Sequence, residues 1–263
     1  MSEQEIVGLL VGLILLPALL IGLERLWPQL PHYKAIRKAW AADAVWYLAQ
    51  SFVARVAAPW VVFLAVLPVF ILGDLPLSNY WNGFGPLSQL PFWLQMVLVF
   101  LLADFLSYWQ HRMFHLAPFW PTHAVHHSSE NLDWLSATRF HPFNEIGAQL
   151  VYVAPLIALG FSPYTFVLFA PFTAAYAVFL HANVNWTFGP FRYLLASPVF
   201  HRWHHSTDPA AYEKNFGGFL PVWDMVFGTY YQPKGQVPQA FGIEEPMPEG
   251  FVKQLVYPLT HKR

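Results

Sequence analysis

The sequence contains no cysteine. That excludes disulfide staples, iron–sulfur ligation, thiolate-bound haem and cysteine nucleophiles, and it leaves twelve histidines as the available ligands for a borderline metal. Charge is scarce as well. Lys, Arg, Asp and Glu make up 11% of the 263 residues, against about 25% in an average soluble domain. Hydrophobic residues make up 56% and aromatics 18%, a composition that fits a lipid bilayer as solvent. The formal net charge of -1 gives no reason to expect nucleic acid or an acidic polymer as partner. Neither His-Glu-x-x-His nor a Gly-x-Ser-x-Gly elbow is present.

Apolar runs extend over Ile6–Leu23, Ala44–Leu72, Pro91–Tyr108, Ile146–Phe161 and Pro163–Leu180, with Gly160, Ser162 and Pro163 marking a tight turn between the last two. The first run has the length of a membrane span. Glu3 and Glu5 precede it, and Glu24, Arg25 and Trp27 follow where a signal peptide would have small residues, so a retained helix is expected. The fold class expected is all-α: residues 1–263 as one polytopic membrane bundle of about four to five embedded helices beneath a cytosolic, histidine-rich helical cap. The last two runs are short and could form a hairpin that enters only part of the bilayer. Lys34, Arg37 and Lys38 cluster after the first run, whereas the 73–90 loop has no lysine or arginine. The positive-inside rule therefore puts the amino terminus outside and the histidines and carboxy terminus in the cytoplasm. Arg55 interrupts the second run and reads as a snorkelling side chain or a helix running past the membrane surface.

The histidines are grouped. His111-Arg-Met-Phe-His115 has i, i+4 spacing on the helix leaving the third run, and Asp104 and Tyr108 fall on the same stripe. An aspartate there is costly, and orienting a ligating imidazole through its other nitrogen is the role expected of it. His123-Ala-Val-His126-His127 and His201-Arg-Trp-His204-His205 repeat an i, i+3, i+4 pattern, the latter behind a Ser197-Pro198 helix start. His181 ends the fifth run and is the candidate ninth ligand, with Asn185 expected one turn later on the same face. His141 is as suited to a structural role as to lining the site. His32 and His261 read as ordinary surface residues.

Eight imidazoles in three boxes exceed what one ion can use, since zinc takes four ligands and octahedral iron six, so two metals are expected. Neutral nitrogen donors suit a redox-active first-row metal better than magnesium or calcium. A site just beneath the membrane surface suits oxygen chemistry on an apolar substrate.

The stretches Asp104-Phe-Leu-Ser-Tyr-Trp-Gln-His-Arg-Met-Phe-His115, His123-Ala-Val-His-His-Ser128, Arg139-Phe-His-Pro142, His181-Ala-Asn183, Ser197-Pro-Val-Phe-His-Arg-Trp-His-His-Ser206 and Asn215-Phe-Gly-Gly-Phe-Leu-Pro-Val-Trp-Asp-Met-Val-Phe-Gly-Thr229 together resemble the fatty acid hydroxylase and sterol desaturase superfamily, with residues 100–231 as the catalytic region. The resemblance implies a membrane di-iron enzyme that uses dioxygen and electrons from a separate partner to hydroxylate or desaturate a lipid. It implies iron ligation by His111, His115, His123, His126, His127, His181, His201, His204 and His205, with Asn215 and Asp224 in a closing motif that buttresses the third box. Asn185 stands where some relatives have a further histidine. A zinc-dependent membrane hydrolase acting on lipids is the alternative reading of the same boxes.

Overall fold

The computed structural model describes residues 14–31 and 37–261. The first part of the Ile6–Leu23 run, residues 6–13, lies outside the described residues, as do His32 and Lys34; from Leu16 the run belongs to α1 (Leu16–Leu26). α2 (Trp40–Phe52) continues through a π-turn at Val53–Ala57 into α3 (Ala58–Leu72). After an apolar loop come α4 (Phe92–Phe114), α5 (Trp120–His127), α6 (Pro142–Ala148), a second π-turn at Gln149–Val153, α7 (Ala154–Ala158) and α8 (Tyr164–His181). The cap adds α9 (Pro198–His204), α10 (Val222–Val226) and α11 (Phe251–Thr260). Among the described residues there is no β-strand, only the isolated bridges Pro28–Val184 and Ser206–Phe241.

Three helical stretches among the described residues are long and apolar enough to cross a membrane: Trp40–Leu72, Phe92–Phe114 and Tyr164–His181. The expected fourth run is not one of them. It is the broken helix α6–α7, yet it lies antiparallel to α4, with Asn144 beside Gln110 at one end and Leu156 and Phe161 packed on Val99 at the other. Both π-turns end two residues before a proline, Pro59 and Pro155. A proline ring has no N–H and crowds the carbonyl four residues back, so the helix widens there. Arg55 sits on the first π-turn and is exposed. The half-helix before it, α2, packs against the cap: Trp46 Nε1 donates to Gln254 Oε1 at 2.7 Å, and Trp46 joins Ala124, Val125 and Tyr257 in one core. The first part of this long helix thus belongs with the cap.

α3 packs through Val62, Val66 and Phe70 on Val153, Ala154 and Ile157. The end of this bundle remote from the histidines is closed where two backbones cross. Phe84 N donates to the Gly160 carbonyl at 3.0 Å, and both Gly83 (φ +76) and Gly160 (φ +107) adopt left-handed conformations at contacts where a Cβ would collide with backbone oxygen.

The histidine end is held by buried charge. Asp43, fully buried on the first turn of α2, receives Arg37 at 2.6 Å and Arg139, while Arg37 also grips Asp133 at 2.7 Å and Arg139 reaches Ser128 at 3.0 Å. Arg37, one of the basic cluster after the first run, is committed to this network. Removing the carboxylate leaves two buried guanidinium groups short of a counter-charge, so Asp43→Asn should cost about 3–5 kcal/mol. Thermal unfolding in detergent checks this. Lys38→Gln, which touches only the exposed Lys38–Glu249 pair, should leave the midpoint unchanged.

Candidate metal centre

The second and third histidine boxes are each delivered by a short, proline-started helix. Pro121 opens α5, and Pro198 opens α9 behind Ser197, whose Oγ accepts from Phe200 N at 3.1 Å. α4 brings His111 and His115 to its carboxy-terminal end, and α8 brings His181 to its last position. At 3.6 residues per turn, positions i and i+4 point about 40° apart while i+3 points to the other side. That angle divides each box.

The nine histidines form two groups. His111, His115, His123, His127 and His204 make one; His126, His181, His201 and His205 make the other; within each, one ring nitrogen per residue lies within 4.8 Å of all the others. α5 gives its i, i+4 pair (His123, His127) to the five-membered group and its i+3 residue (His126) to the four-membered one. α9 does the reverse, with His204 in the five-membered group and His201 and His205 in the four. The groups share a wall, where His127 and His205 stack with ring centroids 4.2 Å apart.

The nitrogens fit a cation. His181 Nδ1 donates to its own helix at Ala177 O (2.7 Å), so its Nε2 carries a lone pair, and that atom faces Nε2 of both His126 and His201 at 3.0 Å. Similar Nε2 pairs, at 3.2 Å, join His123 to His127 and His201 to His205. Ligands of one ion with metal–nitrogen bonds of about 2.1 Å stand about 3 Å apart when adjacent. In the five-membered group Nε2 of His111, His115 and His204 is buried without a hydrogen-bond partner. Burial away from water, reinforced by neighbouring imidazoles, holds His123, His126, His127, His201, His204 and His205 well below the ordinary histidine range. These six are neutral, as ligands must be.

Three ring nitrogens facing away from the five-membered group meet one short loop. His204 Nδ1 donates to Lys214 O at 2.7 Å and His111 Nδ1 to Phe216 O at 2.9 Å, while His115 Nδ1 lies 3.4 Å from the Glu213 carboxylate. Both carbonyls can face inward because Asn215 between them is left-handed (φ 59). Its amide is tied to Phe200 O and to both backbone polar groups of Tyr231. Asp224 accepts from Phe216 N and Gly217 N, each at 2.8 Å, and from Thr229 Oγ1 at 2.7 Å. Tyr108 hydroxyl meets Thr229 Oγ1 at 2.9 Å.

Asp104 differs from expectation. Its carboxylate takes N–H groups from Phe219 (3.0 Å), Leu220 (3.1 Å) and the Trp223 indole (2.9 Å). It anchors the supporting loop to α4 rather than orienting an imidazole. His141 uses both nitrogens elsewhere, accepting from Phe143 N at the start of α6 and donating to Leu255 O at 2.9 Å. The site-facing residue, two positions beyond that motif, is Asn144, fully buried, with Nδ2 3.4 Å from His123 Nδ1. Asn185 is exposed and not one turn beyond His181, because α8 stops at His181 and Ala182 turns extended (ψ 143). Asn183 is buried there instead, binding Leu30 and Arg202. Arg202, inside the third box and fully buried, donates to Gln29, Leu132 O, His181 O and Asn183.

The family model described as fatty acid hydroxylase matches residues 96–229. An ornithine lipid hydroxylase of Rhizobium tropici is 32% identical over 188 residues, covering 71% of this chain and 56% of that protein. An alkylglycerol monooxygenase of Danio rerio is 33% identical over 188 residues, covering 69% and 41%. A very-long-chain aldehyde decarbonylase of Oryza sativa subsp. indica is 28% identical over 139 residues, covering 48% and 22%. The chain thus spans about half the length, or less, of the curated relatives it matches. No solved structure matches it.

Two outcomes follow from the geometry. A Cβ on Gly217 would lie 2.7 Å from Asp224 Oδ2 and 3.0 Å from Leu220 O, so Gly217→Ala should push Asp224 off two N–H groups, lower stability by about 1–3 kcal/mol and reduce retained metal. Gly218→Ala, whose Cβ meets only Asp104 Oδ1 at 3.8 Å, should do neither. The second outcome concerns acid. Six imidazoles that stay neutral when folded gain protons on unfolding once the pH drops below their ordinary 6.5. The metal-free fold should therefore lose stability as pH falls below about 6.5. Its melting midpoint should drop between about pH 7 and pH 5.5, and a flat profile would mean that these rings reach water.

Proposed function

Because the chain belongs to the fatty acid hydroxylase family, we propose that it is a membrane-bound di-iron oxidoreductase that uses dioxygen and external electrons to hydroxylate or desaturate a lipid-like substrate, sterol, fatty acyl or related. The observation that carries this reading is the division of nine imidazoles into adjacent groups of five and four. One ion cannot use nine nitrogens, and each group alone supplies a full set. His111, His115, His123, His127 and His204 hold one iron, and His126, His181, His201 and His205 hold the other. When bound, the two irons supply what side chains cannot: reductive activation of dioxygen and removal of hydrogen from an unactivated carbon.

The chain's own residues do the rest. The carbonyls of Lys214, Phe216 and Ala177 fix the tautomers of His204, His111 and His181, so that Nε2 points inward. The Phe216 ring, buried, stands 5.1 Å from His115 and 5.5 Å from His204 and keeps water from that side. α4 and α8 present lipid-facing side chains along their length and end at the histidines, so an acyl chain or ring system reaches the site from the bilayer. Phe219, stacked on Tyr176 at 4.6 Å and edge-on to Phe100 at 5.4 Å, fills the gap between these two helices. The histidines and the carboxy terminus face the cytoplasm with the amino terminus opposite, and an electron-transfer partner docks on the cap. Residues 1–263 act as one membrane domain, with catalysis in 100–231. Two relatives are named for hydroxylating or oxygenating lipids. The zinc hydrolase gains no support from the relatives named, and it would leave one histidine group idle.

Purified without chelator, the chain should carry two irons and yield an oxygen-dependent product differing from its lipid substrate by one oxygen or two hydrogens. A single tightly held zinc with anaerobic turnover would overturn the reading. His126→Ala and His204→Ala each remove a nitrogen from a different group. Each should lower metal content and reduce turnover at least about 100-fold, beyond the range of losses for residues that only support ligands, with the helical content retained.

A further inference from the structure

The two histidine groups sit in different electrostatic surroundings. Beside the five-membered group stands Glu213, its carboxylate 3.4 Å from His115 Nδ1 and the opposite nitrogen of that ring buried and facing the group. Glu213 is left-handed (φ 55), a conformation that costs a non-glycine residue about 1 kcal/mol or more and persists only where the surroundings hold it. Its side chain is 64% exposed, so the backbone is not bent there to bury it. The bend aims the carboxylate at His115 and, together with left-handed Asn215, leads into the loop whose Lys214 and Phe216 carbonyls meet His204 and His111. Beside the four-membered group stands a cation. Arg202, fully buried, donates to the His181 carbonyl at 3.2 Å and adjoins His201 in sequence.

We propose that Glu213 is a positioning residue that makes the two metal positions unequal, so that the five-histidine group binds its ion more tightly and fills first while the four-histidine group fills second. An anion behind an imidazole fixes its orientation and makes its inner nitrogen a stronger donor; a nearby cation does the reverse. This inference rests on the metal-binding reading above, but not on the identity of substrate or oxidant.

Cobalt(II) titration of the full-length chain, stripped of metal by chelation in detergent and followed by visible absorption, tests it. The unaltered chain should bind two ions per chain in two resolved steps. Glu213→Gln keeps the shape without the charge and should weaken the first step by about 10- to 100-fold, leaving the second within about threefold. Glu213→Gly separates electrostatics from folding, because glycine accepts the left-handed backbone freely. Its melting midpoint should hold or rise while the first step weakens as in Glu213→Gln. His115→Ala should remove the first step's advantage altogether. Unchanged first-step affinity in both Glu213 variants, or equal weakening of both steps, overturns the proposal while leaving two-metal binding intact. Failure of the unaltered chain to bind any cobalt would overturn the metal reading and this inference together.

Discussion

Facing lone pairs repel, and this protein buries them face to face. His181 has spent its only ring N–H on Ala177, yet its remaining nitrogen stands 3.0 Å from nitrogens on two other helices. A neutral imidazole has one proton to give, so a packed set of four or five inward nitrogens cannot satisfy itself by hydrogen bonding. Protonation is not an escape, since burial holds these rings far below their ordinary range. A shared cation resolves the conflict. The cap must therefore hold the rings in place before the cation arrives, and much of its structure does that work.

The support is layered outward from the rings. The 213–216 loop touches three imidazoles, and a second set of buried acceptors fixes that loop: Asp224 on the N–H groups of Phe216 and Gly217, Asp104 on those of Phe219 and Leu220. Asp104 belongs to α4, the helix that carries His111 and His115. The loop is thus registered against the helix whose ligand it orients, and a shift of one must carry the other. The Arg37–Asp43–Arg139 network plays the same part for α5, since Arg139 reaches Ser128 just past the second box. A buried aspartate in a membrane helix looks costly until the N–H groups it satisfies are counted.

The sequence made the ligands legible and their supports mostly not. Imidazole repeats at i, i+3, i+4 twice in this chain, a spacing that leucine also shows but that no apolar stripe explains for histidine, and helical geometry turns it directly into a claw. The split of each box between two groups follows from the same 100° step, though the crossing of α5 and α9 that pairs the halves is a tertiary fact. Supports that are backbone carbonyls, at Lys214, Phe216 and Ala177, leave no trace in residue type. The Arg139-Phe-His-Pro motif drew attention to His141 because histidine is conspicuous, whereas the turn at His141 Nδ1 starts α6 and delivers Asn144 to His123 instead. Asn185 departs from the helical spacing because α8 stops at His181. Hydropathy located the membrane helices but could not tell a full span from α6–α7, where the proline-associated π-turn breaks the run.

The distribution of buried charge gives the molecule its polarity. Asp43, Asp104, Asp133, Arg139, Arg202 and Asp224 are all buried, and all lie in or beside the cap. At the opposite end, closure depends on glycine contacts and aromatic packing of Phe70, Tyr80 and Phe84, with Asp74 the nearby acid. Ion pairs and charge-assisted hydrogen bonds are directional and tolerate little displacement, while apolar contacts slide at low cost. A site that, as proposed, holds nine nitrogens on two ions needs the first kind. On the proposed function, helices that admit a lipid between them are better served by the second. The chain keeps the two at opposite ends of the helical bundle, and Phe219 stands at the border, its backbone fixed by Asp104 and its ring packed between α4 and α8. Rigid chemistry and yielding access thus meet at a single residue, held by the aspartate that composition alone marks as out of place.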